Sequence, residues 1–146
     1  MKNIDTCNLI LKTAARYGVD YRLDVQMDEE ANCPQIQIDI DFVSSLAFSF
    51  FFNTETDNIY YCCISEIERD EIDQNFEGWE REFNSEKHPK NLSLIKSDND
   101  NTVHVYGEID KEKVSAAAIN EVFEFFMKPT GVTATLAQKS LIKAAF

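Results

Sequence analysis

Residues 36–42 read Ile-Gln-Ile-Asp-Ile-Asp-Phe, and this stretch decides the fold. Ile36, Ile38, Ile40 and Phe42 alternate with Gln37, Asp39 and Asp41. Successive side chains of a strand point to opposite faces, so the stretch is a strand with one apolar and one acidic face. Upstream, Val19, Tyr21, Leu23 and Val25 alternate with Asp20, Arg22, Asp24 and Gln26, which predicts a second, half-buried strand. Residues 27–34 between them are a polar loop. Downstream, a short link at 43–45 leads into Leu-Ala-Phe-Ser-Phe-Phe-Phe at 46–52. A polar turn at 53–58 precedes Ile-Tyr-Tyr-Cys-Cys-Ile at 59–64. Residues 19–64 are therefore expected to form an antiparallel meander of four strands.

Helical spacing flanks the meander. Residues 4–17 carry apolar side chains at helical intervals, and Gly18 follows where a C-capping glycine belongs. Ser65-Glu66-Ile67-Glu68 has the spacing of a capping box, with serine at the N-cap and glutamate three residues on. Ile72, Phe76, Trp79 and Phe83 then form a helical stripe, and Pro89 ends the unit. Residues 92–96 and 102–109 read as a hairpin around Asp98-Asn-Asp-Asn101. Asp110 is a candidate N-cap for a helix whose stripe is Val114, Ala118, Val122, Phe125 and Phe126. Pro129 and Gly131 break it, and 133–146 has the spacing of a last short helix. The order α-ββββ-α-ββ-α, with an extra C-terminal α, gives an α+β fold: a mostly antiparallel sheet with helices packed on it. The 146 residues are expected to form one domain, with 128–146 as an appended helical tail.

Composition narrows the function. There are 26 acidic against 14 basic residues, a net charge of −12 and a pI of about 4.5. Such an excess argues against broad electrostatic binding to nucleic acid or to an anionic membrane. The charge is uneven, since residues 128–146 hold three lysines and no acid. Lys12 and Arg16 interrupt any apolar run of signal-peptide length, and the most apolar stretch, 46–52, is far short of a membrane span. A cytoplasmic location is expected. Cys7, Cys33, Cys62 and Cys63 are read as free, buried thiols, because the adjacent pair must point to opposite faces of a strand.

Chemistry-bearing constellations are thin. His88 lies in a polar loop, and His104 sits beside Tyr106 on the half-exposed face of a strand. Asp39 and Asp41 share a strand face about 7 Å apart, which would suit a metal or a paired-carboxylate hydrolase, but a solvated acidic face explains them as well. Residues 98–109 begin like a calcium loop, yet Val103 stands where glycine is needed and Ile109 where glutamate is needed. Four isolated glycines cannot build a phosphate loop. We expect no catalytic residues, no metal and no cofactor.

Binding surfaces are the better prospect. On both 46–52 and 59–64 the two faces are mainly apolar, so something should cover the second face. The C-terminal helices are the first expectation; a second copy of the chain or another protein are the others. Phe48, Phe50, Phe52, Tyr60 and Tyr61 are the candidate partner-binding residues. The second candidate surface is acidic. Between Asp20 and Glu86 the only bases are Arg22, Arg69 and Arg81, and Glu71, Asp73, Glu77 and Glu80 line the middle helix.

In the passage Leu92-Ser-Leu-Ile, Val-His-Val-Tyr-Gly107 and 114–127, a hairpin runs straight into an apolar-striped helix. With the order of elements and the acidity, this layout resembles the YbjN group of bacterial proteins and the class I type III secretion chaperones. The resemblance covers roughly residues 4–127. It implies a non-enzymatic, chaperone-like or regulatory module, a homodimer that holds an extended peptide or partner protein against apolar patches and strand edges. The strand at 19–25 and the tail at 128–146 depart from the simplest chaperone layout. The alternative is an acidic inhibitor or decoy of the immunity, anti-restriction or DNA-mimic type, which would block a basic site on its target.

Overall fold

A computed structural model of the chain describes residues 3–30, 32–42, 46–53, 58–88 and 92–141. The expected link at 43–45, the turn tip at 54–57, Pro89 and the tail beyond 141 lie outside the described residues. The elements run α1 (Asn3–Tyr17), β1 (Asp20–Asp28), β2 (Cys33–Phe42), β3 (Leu46–Asn53), β4 (Asn58–Glu66), α2 (Arg69–Ser85), β5 (Ser93–Lys96), β6 (Thr102–Asp110), α3 (Ala116–Met127) and α4 (Gly131–Lys139). The fold is α+β. Its six strands form one fully antiparallel sheet in the order β1-β2-β3-β4-β6-β5. The four-strand meander is as read, except that Met27↔Pro34 and Asp28↔Cys33 pair and shorten the expected 27–34 loop; β6 enters between β4 and β5.

The alternation of β2 sets the layers. Ile36, Ile38, Ile40 and Phe42 are buried, and register places them beside Phe52, Phe50, Phe48 and Leu46 of β3. Phe126 of α3 packs over this face, 4.6 Å from Phe48 between ring centres and 6.1 Å from Tyr61. Phe123 lies edge-on to Phe42 at 5.5 Å. Burying each such ring stabilises the fold by about 1.5–3 kcal/mol. Tyr17 of α1 stacks on Phe123 at 5.7 Å, so α1 leans toward α3. The stripe Ile72, Phe76, Trp79 and Phe83 of α2 joins the same core, as do Val132, Leu136 and Ala137 of α4. All four helices therefore lie on one face of the sheet. The expectation that the C-terminal helices cover the second face is corrected: their apolar residues are already committed to the first.

Local sequence explains the helix ends, with three corrections. Gly18 takes φ +69°, its N–H donates to Ala15 C=O at 3.1 Å, and Val19 N–H donates to Ala14 C=O at 3.1 Å, a left-handed cap. The capping box at 65–68 does not form. Strand pairing consumes Ser65 and Glu66 against Val103 and Thr102, and α2 starts at Arg69 with no side-chain cap on Glu68. Asp110 caps only the single turn 111–113; Ser115 caps α3, accepting from Ala118 N–H at 3.1 Å. That extra turn rotates the buried stripe of α3 to Ile119, Val122, Phe123 and Phe126. Finally, α4 starts at Gly131, earlier than expected, where φ is +57°. It is tied down at both ends. Val132 N–H donates to Glu86 Oε1 at 3.0 Å, Lys139 donates to Glu71, and Leu141 N–H donates to Glu66 C=O at 2.8 Å.

Two glycines make opposite demands. Gly107 of β6 faces Tyr61 across the β4–β6 ladder, and a Cβ there would collide with the buried phenol ring. Gly78 of α2 has open space around it. We expect Gly107→Ala to destabilise the protein by about 1–3 kcal/mol through overpacking. Gly78→Ala should stabilise it by about 0.5–1 kcal/mol, because alanine is the better helix former. Urea melts of the two variants should shift in opposite directions; a Gly107→Ala melt at or above the wild-type midpoint would remove the Tyr61 packing argument.

Candidate functional site

With the helices on one side, the described residues leave two clustered apolar regions in contact with solvent. The first is the outer sheet face. Phe51, Tyr60 and Tyr106 form a ladder across β3, β4 and β6, with centroids 5.6 Å apart for Phe51–Tyr60 and 6.0 Å for Tyr60–Tyr106. These rings are half-buried. Cys62 lies between Ser49 and Tyr106 in the register, and burial pushes its thiol up to about 11. Cys63 points to the core and is pushed up to about 12, chiefly by burial. Thiols held that high stay protonated at neutral pH and are poor nucleophiles. All four cysteines are free and buried.

The second region is the inner side of β1. Tyr21, Leu23 and Val25 were expected to be half-buried. They are instead 45, 42 and 55% exposed, and Met27, which belonged to the expected 27–34 loop and not to the half-buried strand, is 61% exposed. Register continues the row Ile40, Ile38, Ile36 of β2 directly into Tyr21, Leu23 and Val25. The core face thus runs out past the helices and ends in an open apolar row. β1 is also an edge strand, so every second residue turns its N–H and C=O away from β2. Periodicity marked these residues as apolar on one face; it held no signal that the strand was an edge.

The candidate partner-binding residues separate accordingly. Phe48, Phe50, Phe52 and Tyr61 are at most 2% exposed beneath the helices, so they are core and offer no surface. Tyr60 alone of the five reaches the outer face. Phe51 and Tyr106, which stack on it, were missed, although their strand parity matches that of Tyr60. The acidic candidates are on α2 as expected. Asp73, Glu77 and Glu80 are exposed, and Asp73 lies 3.7 Å from Arg69. Glu71 is half-buried and serves the α2–α4 contact through Lys139.

The polar chemistry is structural wherever it is ordered. Asp39 on the outer face accepts hydrogen bonds from Arg22 at 2.8 Å, Gln37 at 2.9 Å and Ser49 at 2.6 Å, which tie β1, β2 and β3 together. Burial alone would raise its carboxyl, but these hydrogen bonds and the Arg22 charge outweigh burial and hold it below the ordinary carboxylate value. His104 shares a hydrogen bond with Thr102 at 3.1 Å, and burial lowers its imidazole against a weaker opposing effect of Asp100. His88 stacks on Phe83 at 4.5 Å. An open depression of about 370 Å³ lies between Glu66, Glu68, Arg69, Asp70, Asn101 and Leu141. Arg69 is turned to the Ser97 and Asp100 carbonyls there, at 2.8 and 2.5 Å. Among the described residues, no three His, Cys, Asp or Glu side chains form a group that could hold a metal ion. Among the same residues, no helix is long and apolar enough to cross a membrane.

No family model, no curated protein and no solved structure matches the chain.

The Asp39 network makes an acid-limb prediction. A carboxyl whose value is lowered by folding adds stability above its unfolded value, and that stability is lost as pH falls through the folded value. Wild type should exceed Asp39→Asn by about 1 kcal/mol at neutral pH, a partly solvated pair being worth no more. The difference should shrink toward zero as pH drops below the ordinary aspartate range. Urea unfolding of both proteins across that range checks it; a gap independent of pH would show that charge on Asp39 is not what stabilises.

Proposed function

We propose that this protein is a non-enzymatic protein-binding module that takes an extended segment of another chain onto the free edge of β1. The single supporting observation is the conjunction at that strand of an open backbone edge with four exposed apolar side chains in a row. Backbone pairing supplies affinity in strand addition, and alternate side chains supply selectivity. The apolar row would meet matching side chains of the incoming strand at Cβ separations of about 4.5–5.5 Å. This is the mode of action that the likeness to secretion chaperones also implies.

A second reading keeps the acidic decoy. Asp70, Asp73, Glu77, Glu80 and Glu82 are exposed on α2, with Arg69 and Arg81 as its only bases. Such a face favours a basic partner through long-range attraction. A solvated helix face that aids solubility accounts for it equally well, so this reading ranks second.

Photocrosslinking from single sites separates the two. A benzoylphenylalanine at Val25 should give a covalent protein adduct in the cells that make the protein, and Leu23→Lys in the same chain should abolish it. The same probe at Glu77 should give none. Adducts from position 77 alone, weakened by high salt, would favour the decoy. No adduct from position 25 would sink the strand-addition reading.

A further inference from the structure

The two edges of the sheet differ in a way that names an occupant for β1. The β5 edge is short, only Ser93–Lys96, and ends in a lysine. Short edge strands and lysines are ordinary guards against sheet-to-sheet pairing. The β1 edge has neither. It is nine residues long, contains no proline or lysine, and keeps one unbroken register with β2 from Asp20↔Asp41 to Asp28↔Cys33, with no bulge to bend it away.

Resting on the reading of β1 as a binding edge, we propose that the strand added to it is β1 of a second copy of this chain, paired antiparallel about a two-fold axis through Leu23. Parity comes first. Residues that turn their backbone outward on one strand must face outward-turning residues on the other. Only registers that pair odd positions with odd therefore form a ladder, and these set the apolar rows side by side. Charge then selects among them. Centring on Asp24 sets Asp24 against the partner's Asp24. Centring on Arg22 sets Arg22 against the partner's Arg22. Centring on Val25 sets Tyr21 against the partner's Glu29. Centring on Leu23 sets Arg22 against the partner's Asp24 and Asp24 against the partner's Arg22. It also sets Tyr21 against the partner's Val25, Leu23 against the partner's Leu23 and Met27 against the partner's Val19. Every member of the apolar row meets an apolar residue, and both central charges meet their opposites. The two-fold runs perpendicular to the sheet, so the two sheets join into one with both helical layers on the same side.

Light scattering on the purified full chain tests this. Wild type should elute at twice 16.8 kDa at micromolar concentration. Asp24→Arg sets arginine against arginine at both central pairs and should weaken the dimer at least about tenfold. Arg22→Asp should do the same with like-charged aspartates. Mixing the two variants should restore a dimer, because each then supplies what the other lacks. Since Arg22 also holds Asp39, Leu23→Lys on the exposed row is the independent variant. It should give a folded monomer with a wild-type circular dichroism spectrum. A monomeric wild type would overturn self-pairing, while adducts from position 25 to a different protein would still leave the strand-addition reading standing. A wild-type dimer untouched by Asp24→Arg and Leu23→Lys would place the interface elsewhere and overturn the proposal.

Discussion

The cluster of rings at Phe42, Phe48, Phe50, Tyr61, Phe123 and Phe126 is the contact on which the rest of the structure depends. It fixes α3 over β2, β3 and β4. It draws α1 inward through Tyr17 and Phe123, and it leaves β1 beyond the helical layer. Interiors pack to near-crystalline density, so a helix seated on these rings cannot also reach outward to cover the edge. The exposed row on β1 and the uncovered outer face follow from one commitment: the buried apolar stripes of all four helices are used on one side.

Much of this arrangement was legible in the chain because period-2 and period-3.6 patterns are direct images of strands and helices. β2 was read correctly to the residue face. The meander, the α2 stripe and the β5–β6 hairpin followed from the same signal. What failed was of two kinds. Competition between local motifs misled at Ser65, where a capping-box spacing lay inside a strand whose ladder bonds to Val103 won. Long-range order was invisible. Nothing in Leu23 says that its strand is an edge, and nothing in Phe50 says that a helix from residue 116 onward will cover it. Apolar character marks burial and binding surfaces alike, so the choice of Phe48, Phe50, Phe52 and Tyr61 as a surface could not be made safely before the topology was known.

The acidic character takes on a structural role in the same frame. The carboxylates that make ordered contacts act as tethers: Asp39 joins three strands, Glu71 and Glu86 bind α4 to α2 and its C-terminal end, and Asp110 caps a turn. The remainder of α2 stays exposed and charged. Net negative charge held on a helix opposite an apolar edge keeps that edge the preferred place for contact, since like-charged faces repel other encounters.

The entry of β6 between β4 and β5 has a consequence for how the chain is made. The first four strands pair with their neighbours in sequence, and such local contacts close quickly. The far side of β4 is different. Its partner, β6, cannot arrive until residues 67–101 have been synthesised, and until then Tyr60, Cys62 and Ile64 border a bare ladder. A nascent chain at that stage carries two open edges, β1 and β4, where the finished protein has β1 and a guarded β5. Assembly during synthesis thus passes through its most adhesive form just before the last hairpin closes it.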